Sequence, residues 1–92
     1  MAVLATYTVK GNTEELLERY DAAMPQIVEI SPEKPLSHVA VPSNGGIKIF
    51  DVWESERALG DFAQNPRFHE VLQDVALPEP EVEVTPVHRF NW

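Results

Sequence analysis

Three histidines, fifteen carboxylates, two tyrosines and two tryptophans are the groups in this chain that carry chemistry. One pairing among them can be read from spacing. Ser43-Asn44-Gly45-Gly46 lies between two alternating apolar segments, and Asn-Gly there is a hairpin signal because both residues accept positive φ. A loop of Asn44-Gly45 and a loop of Ser43 to Gly46 imply the same register. His38 opposes Asp51, Ala40 opposes Ile49 and Leu36 opposes Trp53. Side chains directly opposed across a strand pair share a face and touch. A carboxylate beside an imidazole raises its pKa and fixes its tautomer, which is how a general base is oriented. The candidate catalytic residues are His38, taking a proton, and Asp51, orienting the imidazole, with Tyr7 or His88 donating to a developing oxyanion. Trp53, Phe62, Ile49 and His69 are the candidate substrate-binding residues. The other reading of His38 and Asp51 is a structural, half-solvated pair at the sheet edge. A one-residue slip would set His38 against Val52 and dissolve the pair.

The elements that must position these groups are legible along the chain. Ala2 to Lys10 alternates as a first strand, with Val3, Ala5, Tyr7 and Val9 on one face. Asn12 and Glu15 form a capping-box pattern at the start of a helix whose apolar stripe is Leu16, Leu17, Tyr20, Ala23 and Met24. Pro25 ends or bends that helix. A proline-rich connector leads to a second strand, Leu36 to Pro42, and the hairpin returns as Ile47 to Trp53. Ser55 caps the next helix, and Asn65-Pro66 bends it or divides it in two. Phe68, Val71, Leu72 and Val75 continue its apolar face. Glu81 to Arg89 is the last strand, with Val82, Val84, Pro86 and His88 sharing a face, and Pro86 marks it as an edge. Phe90-Asn91-Trp92 is an aromatic tail suited to packing on a partner subunit.

Strand, helix, strand, strand, helix, strand is the split βαβ, or ferredoxin-like, order of an α+β domain. Right-handed crossovers put the first and third strands in the centre of a four-stranded antiparallel sheet, both helices on one face. Residues 1–92 make one such domain. The other face presents Leu4, Val39, Val41, Phe50 and Val52, which a second copy would cover.

Composition narrows the function. A net charge of −8 argues against nucleic acid and anionic membrane partners. No apolar run is long enough to span a bilayer, and the opening Met1-Ala-Val-Leu-Ala reads as strand rather than signal peptide. The absence of cysteine removes thiol nucleophiles, disulfides and thiolate metal sites, and fits a cytoplasmic protein. His38 and His88 fall on opposite sheet edges, too far apart for one metal ion. No phosphate-binding glycine loop is present in the sequence. The expectation is a site with neither metal nor cofactor.

The stretch V-W-E-S-E-R-A-L-G-D-F-A-Q-N-P-R-F resembles the signature of the dimeric α/β-barrel superfamily, in its antibiotic-biosynthesis-monooxygenase-like branch. Trp53, Ser55, Ala58, Leu59, Pro66 and Phe68 carry the resemblance. It implies a homodimer with facing sheets and a small-molecule cleft between sheet and helices in each subunit. It also implies cofactor-independent activity on a hydrophobic, carbonyl-bearing or aromatic substrate, either monooxygenase-like or isomerase/cyclase chemistry by proton transfer. The alternative is a non-catalytic dimer that binds a ligand or partner. The chain departs from the family at Ile49, where quinone-forming relatives place an asparagine, and at Phe62, where many relatives have histidine.

Overall fold

The computed structural model describes residues 1–91; Trp92, and with it that part of the expected aromatic tail, lies outside them. Among the described residues the order is β1 (Val3–Lys10), α1 (Thr13–Ile30), β2 (Ser37–Ser43), β3 (Gly46–Trp53), α2 (Glu56–Ala63), α3 (Pro66–Asp74) and β4 (Glu81–Pro86). The antiparallel sheet runs β2-β3-β1-β4, so the first and third strands are central, as the crossover rule requires.

Local chemistry sets the boundaries. Asn12 accepts from the Glu15 N–H at 3.0 Å, Ser55 from the Ala58 N–H at 3.1 Å and Asn65 from the Arg67 N–H at 3.0 Å. Each cap is worth about 1 kcal/mol. Asn65 and Pro66 therefore end α2 and start α3 as separate helices. Pro25 does not end α1, which continues to Ile30. The proline is exposed, so water can reach the Asp21 carbonyl it leaves unbonded, and Ile27 and Ile30 beyond it pack into the core. That burial offsets the missing hydrogen bond. The hairpin turn takes positive φ at Gly45 (78°) and not at Asn44, contrary to the expectation for both positions. Gly46 admits no side chain, since a Cβ there would stand 2.0 Å from the Val9 carbonyl oxygen.

One sheet face is covered by the helices. Val3, Ala5, Tyr7, Val9, Ile47 and Trp53 are buried there with Leu16, Leu59, Phe68 and Leu72. The opposite face is uncovered in a single chain. Its rows follow from the register: Ser37, Val52, Leu4, Thr85; then Val39, Phe50, Thr6, Glu83; then Val41, Lys48, Thr8, Glu81. Every residue of β4 is exposed, including Val82 and Val84 on the helix-side face. At the end of α3, Ala76 adopts φ 58°. The Leu77 N–H bonds back to the Leu72 carbonyl at 2.9 Å. This turn buries Leu77 and brings Pro78 and Pro80 over the helix-side face.

Candidate active site

The hairpin that brings the candidate base to its carboxylate is held from outside. Thr13 Oγ1, at the start of α1, donates to the Ser43 carbonyl at 3.1 Å and to the Gly46 carbonyl at 3.0 Å. The Gly11 N–H donates to the Gly45 carbonyl at 3.0 Å. With the turn pinned at both sides, His38 pairs with Asp51 and Ala40 with Ile49, the register read from the turn. His38 Nδ1 lies 2.5 Å from Asp51 Oδ1. Asp51 is 4% exposed, so the solvated reading of this carboxylate does not hold. His38 is pushed above its ordinary value, first by the hydrogen bond to Asp51, against the opposing effect of burial, with the Asp51 charge adding to the rise. The buried carboxylate accepts the Nδ1 proton, and Nε2 is the nitrogen left to exchange protons.

That nitrogen already has a partner, although the His38 side chain is 32% exposed. The Tyr20 hydroxyl of α1 hydrogen-bonds it, and the two rings are nearly parallel, 5° apart with centroids 6.1 Å apart. Sequence reasoning counted Tyr20 as packing, because it falls on the apolar stripe of α1. Its spacing of four from Leu16 and Met24 was the only signal, and it signals a buried face without revealing where a phenol oxygen ends.

His38, Asp51, Tyr7, Ile49 and Trp53 line one side of a cleft of about 290 Å³. Tyr20, Met24 and Ile27 of α1 face them, and Phe62, Phe68 and Leu72 form the far wall. The aromatic wall is continuous: Trp53 and Phe62 centroids are 5.2 Å apart, Phe62 and Phe68 4.6 Å. Aromatic pairs at these distances attract beyond their burial alone. Lys34 stands at the rim with Nζ donating to the Val28 and Ser31 carbonyls at the end of α1. The cleft is thus mainly apolar, with polar groups gathered around Asp51.

Two of those groups lack a well-formed hydrogen bond. The Tyr7 hydroxyl and the Trp53 indole N–H are buried, and the hydroxyl lies near both the indole and the Asp51 carboxylate without the geometry of a full bond. Tyr7 lies diagonally across the strand pair from Asp51, and Trp53 lies two residues further along β3 on the same face. Burial, and next the Asp51 charge, push the Tyr7 phenol upward, so it stays protonated as a donor.

The remaining two candidates are elsewhere. His88 lies beyond the end of β4, exposed and outside the cleft lining. The strand itself ends at Pro86, and the Val87 N–H makes one further bond to the Ala2 carbonyl at 3.0 Å before the chain reaches His88. His69 is also outside that lining. Its Nδ1 lies 2.8 Å from Glu79 Oε1 and its Nε2 2.8 Å from the Ala63 carbonyl, tying α3 to the end of α2 and to the α3–β4 connector. Among the described residues no cluster of three or more His, Asp or Glu could hold a metal ion, and no helix is long and apolar enough to cross a membrane.

Solved structures of the same shape decide the fold's affiliation. A candidate antibiotic biosynthesis monooxygenase from Caulobacter crescentus CB15 superposes with a TM-score of 0.71 over 96% of this chain and 91% of that one, at 14% identity. SnoaB, a cofactor-independent oxygenase from Streptomyces nogalater, does so with a TM-score of 0.67 over 97% and 93%, at 14% identity. The chain has the antibiotic-biosynthesis-monooxygenase-like fold. Rv0793 from Mycobacterium tuberculosis shares it as well, with a TM-score of 0.62 over 100% and 98% at 18% identity. No sequence-family model and no curated protein sequence matches the chain. The ferredoxin-like architecture expected from element order and from the Trp53–Phe68 motif is therefore the architecture found.

Proposed function

We propose that this monooxygenase-like fold serves a cofactor-independent enzyme that moves a proton on a small hydrophobic, carbonyl-bearing or aromatic molecule. The observation that carries the reading is the His38–Asp51 pair in the wall of a cleft of about 290 Å³, at the small end of the range for ligand pockets. A cleft filled by Trp53, Phe62 and Phe68 would instead have favoured a purely structural or binding role. The substrate's flat apolar body would lie against Trp53 and Phe62. Its carbonyl oxygen would meet the two buried donors, Tyr7 and Trp53, after a small shift of their rings. The acidic C–H beside that carbonyl would lose its proton toward His38, and Asp51 would stabilise the imidazolium. Reprotonation elsewhere completes an isomerisation, attack on a second carbonyl a cyclisation, and reaction with dioxygen an oxygenation. SnoaB, a cofactor-independent oxygenase of the same fold, keeps the last of these in view.

The same reading includes a homodimer. Val39 at 49% exposure, together with Leu4, Phe50 and Val52, forms an apolar face that sheet-to-sheet pairing would cover. A cytoplasmic setting is part of the proposal, resting on the cysteine-free composition.

Deuterium uptake by 2-tetralone in D₂O, followed by proton NMR, tests the chemistry. Its benzylic α-hydrogens are acidic and its flat body suits the cleft. The wild-type chain is expected to accelerate uptake over buffer, and Asp51→Asn to lose most of that acceleration. Uptake at the buffer rate in the wild type would overturn the proton-transfer reading.

A further inference from the structure

The proton-transfer reading leaves open which atom meets the substrate, and the surroundings of His38 bear on that. Both ring nitrogens are engaged, Nδ1 by Asp51 and Nε2 by the Tyr20 hydroxyl. A proton that leaves or reaches Nε2 along its existing hydrogen bond passes through the Tyr20 hydroxyl. Tyr20 itself lines the cleft, on the wall opposite the sheet, and is held by a helix rather than a loop. Resting on that reading, we infer that Tyr20 is a catalytic residue, the proton-exchanging group that touches the substrate, with His38 and Asp51 behind it as a relay.

The two protonation states of His38 give Tyr20 two roles. With His38 neutral, Nδ1–H donates to Asp51 and the Tyr20 O–H donates to Nε2. The free lone pair of the Tyr20 oxygen then faces the cleft. A substrate C–H gives its proton to that oxygen as the tyrosine's own proton passes to Nε2. The C–H electron pair remains on the substrate as an enolate, and the imidazolium lies between the Asp51 carboxylate and a neutral phenol. In the reverse sense, Nε2–H donates to the Tyr20 oxygen, and the Tyr20 proton is delivered to the enolate carbon as Nε2 reprotonates Tyr20. Atoms and charge balance in both directions, and no oxidant or metal is needed. The nearly parallel rings suit such a transfer, since the phenol oxygen and the imidazole lone pair meet close to the ring planes. The ionisable groups acting on Tyr20 are Asp51 on β3 and Asp21, its neighbour on α1; both charges, after burial itself, disfavour a standing phenolate. The phenolate therefore forms only as its proton is returned, within the coupled step.

The test measures deuterium uptake by 2-tetralone with the full chain and its Tyr20→Phe variant, with the histidine NMR titration run on both. Tyr20→Phe is expected to lose at least about 100-fold in rate, while His38 still titrates above its ordinary value because its Asp51 bond is intact. That retained titration separates loss of a proton carrier from loss of the fold. A second measurement places a fluorinated tyrosine at position 20. Its more acidic phenol is expected to move the pH–rate profile to lower pH. Uptake within about threefold of wild type in Tyr20→Phe, or a profile unmoved by the fluorinated residue, would overturn the role of Tyr20. Proton transfer through His38 would then survive, provided Asp51→Asn still abolished uptake. A wild type inactive toward the probe would overturn the underlying reading and this inference with it.

Discussion

Two imidazole–carboxylate pairs in this molecule invite comparison. His38–Asp51 and His69–Glu79 have similar separations, 2.5 and 2.8 Å, and in both the carboxylate hydrogen bond is the first cause of a raised histidine. Their surroundings differ. Asp51 is buried, whereas the Glu79 side chain is 57% exposed. The second nitrogen differs more. His38 Nε2 meets a phenol, which can give or take a proton. His69 Nε2 meets the Ala63 carbonyl, which can only accept. With an acceptor at each nitrogen, His69 is best satisfied as an imidazolium and works as a clamp between the ends of α2 and α3 and the connector. The lesson is that a histidine–carboxylate contact says little by itself. The partner of the other nitrogen, and the burial of the carboxylate, decide whether the pair can pass a proton on.

Removing each carboxylate should separate the two pairs most sharply. Asp51→Asn is expected to lower the rate of 2-tetralone deuteration by about 10²–10⁴-fold, the usual worth of general acid–base catalysis. Glu79→Gln should leave it within about twofold, because His69 faces away from the cleft. Equal losses in both variants would erase the distinction.

A smaller effect is expected in the titrations, followed by NMR of the imidazole protons. Asp51→Asn should drop His38 to below its ordinary value, because burial then acts unopposed. Glu79→Gln should lower His69 and leave His38 where it was. Salt sharpens the contrast: raising NaCl from about 0.05 to about 1 M should lower His69, whose partner is solvated, and move His38 little.

The smallest expected effect is on stability. Both histidines are raised in the folded state. Each contributes stability that is fully present below the unfolded-state value and is lost as pH rises through the folded-state value. His69→Gln should therefore cost most in mildly acid solution and nothing once His69 has deprotonated in the folded chain. As a surface substitution it should stay near about 0.5 kcal/mol, read from thermal melts at two pH values. A loss that grew with pH would contradict the clamp.

Much of this geometry was legible beforehand, for identifiable reasons. A tight hairpin has few registers, and a strand has a period of two, so Asn44-Gly45 placed His38 against Asp51. Caps act within four residues, so Asn12 and Ser55 were readable as helix starts, whereas Asn65-Pro66 reads only as a bend or a division until its cap is seen. Pro25 and His88 were harder. Whether a proline ends a helix depends on what the following turn buries, here Ile27 and Ile30. Whether His88 reaches a cleft depends on how far β4 runs along β1, and its last bond there is from the Val87 N–H to the Ala2 carbonyl.

Short-range rules, legible along the chain, control element order, the two central strands, the faces of β1 and β3, and the His38–Asp51 pair. Packing between layers places the Tyr20 hydroxyl on the other nitrogen of His38, buries the Tyr7 hydroxyl and the Trp53 indole without well-formed hydrogen bonds, and leaves β4 exposed on both faces. Those facts depend on where one layer settles against another. The depth at which α1 rests on the sheet fixes the reach of a phenol oxygen to within a bond length, and no residue spacing along the chain encodes that depth.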